Sequence, residues 1–214
     1  MTDATTWSCP RCSTVNASDA PACTGCLTPR PELLSLPALG AFIAAKLREH
    51  FPAEDERDRQ VLALAEEAGE FVGAYRRAAG MARRTGTWDD VEAELADVAI
   101  TAYVTARVLD VTMDLPAESD TEPWASEPAG DVGQNRHHAV LNTAATTGWF
   151  LDTYLLDAGA LGAVLGTVIT AVHDAADALG IDLPAAVQAK AARVLTRGWR
   201  DTTPPTGTSA EATR

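Results

Sequence analysis

The stretch from Val61 to Val104 limits the fold of this chain more than any other. It holds two apolar runs, each several helical turns long and each carrying acids three residues apart: Glu67 and Glu70 in the first, Glu94 and Asp97 in the second. Residues at i and i+3 share one helix face, so the spacing predicts two helices that each present a carboxylate pair. Leu64, Glu67, Phe71 and Ala74 fall on one stripe, which sets the acids at the edge of an apolar face. Asp97 runs straight into Val98, Ala99, Ile100 and onward to Val104, with no polar face wide enough for ordinary surface. Carboxylates placed there are costly unless a cation neutralises them. A hard dication with oxygen ligands, magnesium before zinc, meets that need. An acidic helix surface in an acidic protein would show the same spacing, and spacing alone leaves both readings open.

The set Glu66-Glu67-x-x-Glu70, then Glu94-x-x-Asp97, resembles the signature of the MazG-like all-α nucleoside triphosphate pyrophosphohydrolases, the superfamily of MazG and the dimeric dUTPases. The contexts Leu-Ala-Glu-Glu-Ala-Gly-Glu and Glu-Leu-Ala-Asp-Val match as well. The resemblance implies an all-α fold and cleavage of a nucleoside triphosphate (NTP or dNTP) to the monophosphate and pyrophosphate. It also implies Mg2+ bound by Glu67, Glu70, Glu94 and Asp97. Glu66 stands one position from the first pair and is the candidate catalytic base or a supporting acceptor. Metal assistance of this kind neutralises phosphate charge and lowers the pKa of a bound water.

All four cysteines of the chain lie between residues 9 and 26, as Cys9-Pro-Arg-Cys12 and Cys23-Thr-Gly-Cys26. Two such pairs supply tetrahedral thiolate ligation for one structural Zn2+, and so short a segment would draw most of its folding free energy from the metal. Two disulfides are the alternative, disfavoured because nothing else in the chain is secretory in character. The fuller pattern, with Trp7 before Cys9 and Asn16 between the pairs, resembles the zinc fingers of the Ran-binding nucleoporin type over about residues 5 to 30. Relatives of that kind bind single-stranded RNA or ubiquitin. This chain has Ala17-Ser-Asp-Ala-Pro-Ala22 where RNA binders carry arginines, and Ser13-Thr14 where ubiquitin binders carry Thr-Phe. Arg11 and Arg30 are its only basic residues, so a structural or protein-docking role is expected, with no nucleic-acid polymer as partner.

The expected organisation is a zinc ribbon over 1–30, a linker over 31–37, and a MazG-like repeat over 38–113. An acidic linker follows over 114–135, then a degenerate second repeat with a C-terminal helix over 136–200 and a disordered tail over 201–214. The second repeat is read from constant offsets. Val61-Leu62, Gly69, Phe71 and Tyr75 recur 79 residues on as Val140-Leu141, Gly148, Phe150 and Tyr154, and Leu95 and Val98 recur 70 residues on as Leu165 and Val168. The four acids become Thr146, Trp149, Val164 and Thr167, none a strong magnesium ligand. The fold class expected is therefore a helical bundle of two degenerate repeats, a pseudo-dimer in one chain, as a monomer or a homodimer of fused chains.

Between the acid pairs, Thr87-x-x-Asp90 reads as a capping box that opens the second acidic helix. Arg83 and Arg84 just before it are candidate phosphate ligands, and Trp88 is a candidate base-stacking surface. Gly69, inside a helix, costs about 1 kcal/mol relative to Ala and predicts close approach of a helix or a substrate. Lys190 and Arg197 near the end resemble the basic C-terminal element of MazG-like proteins; contact with phosphate and complementing of a helix C-terminus remain alternatives. His137, His138 and His173 have no ligand-spaced partners and are assigned no role.

The formal net charge is -13, which opposes binding to nucleic-acid polymers and leaves phosphate recognition to local cations or the metal. No apolar run reaches membrane-spanning length and the N-terminus lacks signal-peptide features, so a cytoplasmic protein is expected. The sequence also admits a second class: a nucleotide sensor that binds without turnover and reports through the zinc ribbon.

Overall fold

The computed structural model describes residues 6–9, 11–26, 28–30, 35–113, 132–156 and 158–197. Two short strands, β1 (Thr6–Ser8) and β2 (Val15–Ala17), pair antiparallel with Trp7 opposite Asn16. Six α-helices follow among the described residues: α1 (Leu36–His50), α2 (Glu56–Ala78), α3 (Trp88–Leu109), α4 (Val132–Leu156), α5 (Leu161–Leu179) and α6 (Leu183–Arg197). The protein is thus mostly helical with a small sheet at its start. Among the described residues no single helix is long and apolar enough to cross a membrane.

The helix starts follow from local chemistry. Ser35 accepts the Ala38 N–H, and Pro37 sits in the first turn, where its missing N–H costs nothing. Leu36 and Pro37 therefore belong to α1 and not to the linker assigned to them. The Thr87 capping box forms in full: Asp90 N donates to Thr87 Oγ1 at 3.1 Å, and Thr87 N donates to Asp90 Oδ2 at 3.0 Å. Asp182 caps α6 by accepting the Ala185 N–H. Helix α4 begins at Val132, four residues inside the stretch read as acidic linker, because the helix continues through Gly133-Gln134-Asn135 without an apolar period to announce it. The rest of that linker and the tail over 201–214 lie outside the described residues.

Helices α2 and α3 form one antiparallel hairpin, α4 and α5 another. They meet through α2 on α4 and α3 on α5, while α1 and α6 pack on α3. Helix α3 is therefore the central element, and its run Leu95 to Val104 is nearly all buried apart from Asp97 and Thr101. The apolar crossing of α1 is close: a Cβ on Gly40 would lie 2.8 Å from the Tyr103 backbone. A buried hydrogen bond from Gln60 to Thr105 fixes α2 against α3 in register. Several residues at the constant offsets agree in burial: Val61 and Val140, Phe71 and Phe150, Leu95 and Leu165, and Val98 and Val168 are buried, whereas Leu62 and Leu141 are exposed; Tyr75 is buried and Tyr154 only partly so.

Candidate metal centres

In the hairpin α2–α3 the antiparallel approach brings the two acidic turns together. One carboxylate oxygen from each of Glu67, Glu70 and Glu94 can be chosen so that all three lie within 4.8 Å of one another. Asp97, one turn beyond Glu94, forms an ion pair with Lys190 of α6. The side chains of both are mostly buried, 14% and 17% exposed. Burial, and then the charges of Asp97, Glu70 and Glu94, push the Glu67 carboxyl up to about 7, against the opposing pull of Lys190. Glu94 is also raised, chiefly by burial; Lys190 and Arg77 oppose this while Asp97 and Glu70 add to it. These are oxygen donors crowded closely enough to resist ionising together, the condition a hard dication relieves. The donor set fits magnesium.

The other predicted site residues divide. Glu66 is exposed on α2, one turn before Glu70, and stands outside the three-carboxylate group. Arg83 and Arg84 are exposed in the α2–α3 connection, and among the described residues neither bonds to the acids. The guanidinium whose charge reaches Glu94 is that of Arg77. Trp88 is 46% exposed at the start of α3, with Tyr75 edge-on at 5.9 Å and Arg136 over its ring at 5.9 Å. Arg197 ends α6, and its side chain lies outside the described residues. Gly69 has nothing within 4 Å of where a Cβ would sit, so no neighbouring helix explains it, contrary to that half of the expectation.

Several contributors escaped the sequence reading. Arg193, three residues after Lys190, lines with it a cleft of about 220 Å³ between α3 and α6, bounded by Asp89 and Glu92 on the other side. The i, i+3 spacing from Lys190 was the available signal. His137, given no role, meets the Tyr75 hydroxyl through Nδ1 at 2.5 Å and ties α4 to α2. No spacing rule pairs residues on helices so far apart in sequence.

The four cysteines are free thiols gathered at metal-binding distance. Cys9 Sγ lies 3.6 Å from Cys26 Sγ and Cys12 Sγ 3.4 Å from Cys23 Sγ. A tetrahedron of sulfurs at the usual zinc bond length has edges of about 3.8 Å, so the set fits zinc. Local structure explains the convergence. Ser13 takes a left-handed turn at φ 61 after Cys12, and Gly25 passes so close to Thr14 that a Cβ would lie 2.6 Å from its Oγ1. Asn16, buried, accepts from the Thr24 N–H and hydroxyl and so joins the two knuckles. Burial pushes the Cys9 thiol up to about 11. Burial acts the same way on Cys23, but N–H groups of Cys26 and Gly25 with the neighbouring thiols bring it down to about 6. Trp7 donates to Ala20 O, and Arg30 covers its ring while bonding Ser18 O, so both serve the ribbon's own packing.

Comparison with protein-family models, with curated proteins and with solved structures finds no match for this chain.

Proposed function

We propose that this chain is a magnesium-dependent nucleoside triphosphate pyrophosphohydrolase of the MazG-like kind, with a structural zinc ribbon at its N-terminus. The observation that carries the reading is the convergence of Glu67, Glu70 and Glu94 from two antiparallel helices, with Asp97 one turn away. Surface acids repel; here three are gathered, and Glu67 and Glu94 are partly buried with their carboxyls raised above the ordinary value.

Glu67, Glu70, Glu94 and, once parted from Lys190, Asp97 would hold magnesium. Bound there, the metal neutralises phosphate charge and makes a water more acidic. In the reaction the water oxygen bonds to the α-phosphorus, the bond from that phosphorus to the bridging oxygen breaks, and pyrophosphate leaves with the electron pair. The water's proton is assigned to Glu66, exposed beside the cluster. Lys190 and Arg193 border the cleft next to the acids and are placed to meet phosphate oxygens. Arg83, Arg84 and Arg197 belong to this proposal only as outlying cations, and Trp88 as a surface for the base.

The fused pseudo-dimer belongs to the same proposal. Constant offsets of 79 and 70 residues, and like burial at most of the apolar pairs, support two copies of one hairpin, of which the second has Thr146, Trp149, Val164 and Thr167 in place of the acids.

The test is incubation of the purified protein with ribo- and deoxynucleoside triphosphates and magnesium, separating pyrophosphate from orthophosphate. Release of pyrophosphate that EDTA stops and Glu67→Gln removes is the expected result. Magnesium-dependent nucleotide binding without turnover would replace the enzyme with the sensor.

A further inference from the structure

Lys190 is a cation already seated among the carboxylates. It reaches them from α6, whose Leu183, Ala186, Val187, Ala191 and Leu195 are buried and hold the helix on the bundle. Its ammonium pairs with Asp97, and its charge also acts on Glu67 and Glu94. Lys190 thus does for the protein without metal what a bound dication would do: it supplies positive charge to a group of acids that burial makes costly. Two cations cannot share that position without strong repulsion at short range. Beside it lies the cleft that Lys190 itself lines with Arg193, an open space into which a flexible four-carbon side chain can swing.

We propose that Lys190 is a resident counter-ion which a divalent cation displaces from Asp97, so that metal entry and release of the Lys190 ammonium into the cleft are one event. The inference rests on the reading of the acids as a magnesium site. It makes metal binding and phosphate recognition mutually dependent: the metal frees the lysine, and an anion that holds the lysine in the cleft favours the metal. Magnesium alone then binds weakly because it must break an ion pair, and magnesium with a phosphate ligand binds more tightly than either partner alone.

The experiment is calorimetric titration of the full chain with magnesium chloride, without nucleotide. Lys190→Met is expected to bind magnesium about tenfold more tightly than the parent, a difference of ~1.4 kcal/mol. Lys190→Arg, which keeps the charge, should bind as the parent does. Inorganic pyrophosphate should tighten magnesium binding to the parent and lose that effect in Lys190→Met. Amine-reactive labelling of the parent provides a measurement that needs no variant: Lys190 modification, read by mass spectrometry, should rise when magnesium is added. Equal or weaker magnesium binding by Lys190→Met, or labelling unchanged by magnesium, overturns the proposal and leaves the metal site standing. No magnesium binding to the parent or to Lys190→Met removes the metal site and the proposal together.

Discussion

The hairpins α2–α3 and α4–α5 bury several side chains at constant sequence offsets and differ in what they carry beside them. Phe71 and Phe150 are both fully buried, Leu95 and Leu165 likewise, yet Glu67 stands where the second hairpin has Thr146, and Asp97 where it has Thr167. The threonines answer their own needs locally: Thr146 bonds the carbonyls of Asn142 and Thr143, and Thr167 bonds Ala163 O. A threonine hydroxyl can be satisfied by the preceding turn of its own helix, whereas a half-buried carboxylate has only acceptors to offer and needs a donor, a cation or a proton. The difference teaches that helices packed in this way need no acids at these offsets, so packing alone does not account for Glu67, Glu94 and Asp97.

The sharpest way to break this comparison is to exchange single ligands. Glu67→Gln and Asp97→Asn should each lower pyrophosphate release by about a thousandfold, ~4 kcal/mol of barrier, with helical circular dichroism unchanged. Thr146→Ala and Thr167→Ala should leave turnover within about twofold of the parent, since neither residue offers a strong magnesium ligand. Loss of turnover on changing either threonine would show that the second hairpin takes part in the chemistry.

The proposed repeat can be tested by truncating Phe71 and Phe150, which stand 79 residues apart. Phe71→Ala and Phe150→Ala each empty a fully buried site, and each should cost about 3–5 kcal/mol in denaturant unfolding. A large cost at Phe71 with little at Phe150 would mean that the second hairpin is not a packed counterpart of the first.

What was legible in the sequence was whatever depends on spacing inside one element. The i, i+3 acids, the Thr87 capping box and the two cysteine knuckles all follow from local periodicity and capping chemistry. What was not legible depends on which elements meet. Lys190 was read as a phosphate ligand or a helix-end cation, because nothing in sequence says that α6 lays it on Asp97. Arg83 and Arg84 are the candidate phosphate ligands of the sequence, but both are exposed, and the cations whose charges reach Glu94 are Lys190 and Arg77. Of the two reasons the sequence offers for Gly69, close approach of a helix or of a substrate, the helix is not there. The start of α4 was missed because Gly133, Gln134 and Asn135 carry no apolar signal and the helix there is an extension of a strong downstream pattern.

A smaller effect sharpens the electrostatic side of the comparison. The Glu67 carboxyl stands at about 7 in the folded protein against an ordinary 4.5. The folded state therefore holds a proton that the unfolded chain has released over that interval. In EDTA, stability should be full below pH 4.5 and decline as the pH rises toward 7. Solvent screening reduces the loss to on the order of 1 kcal/mol. Glu67→Gln should flatten that slope, and Thr146→Ala should leave it as in the parent. A slope equally steep in Glu67→Gln would assign it to other groups.

The smallest expected effect probes the outer faces. Leu62 and Leu141 occupy equivalent positions and are 68% and 61% exposed. An exposed leucine contributes little to folding, so Leu62→Gln and Leu141→Gln should each change stability by no more than about 0.5 kcal/mol. Their surroundings differ, however. Near Leu62 on α2 the exposed face carries Glu66 and Glu70, while along α4 the same face carries Ala145 and exposed Trp149 before it reaches Asp152 and Leu155. The first face has two charges within two turns of its leucine, and the second has two uncharged residues there. If the two substitutions match, both faces are solvent-facing and the hairpins differ only in their acids. If Leu141→Gln alone is costly, or alone changes the mass measured by light scattering, the α4 face is covered in solution, and loss of the acids from the second hairpin has made room for a contact that the first cannot form.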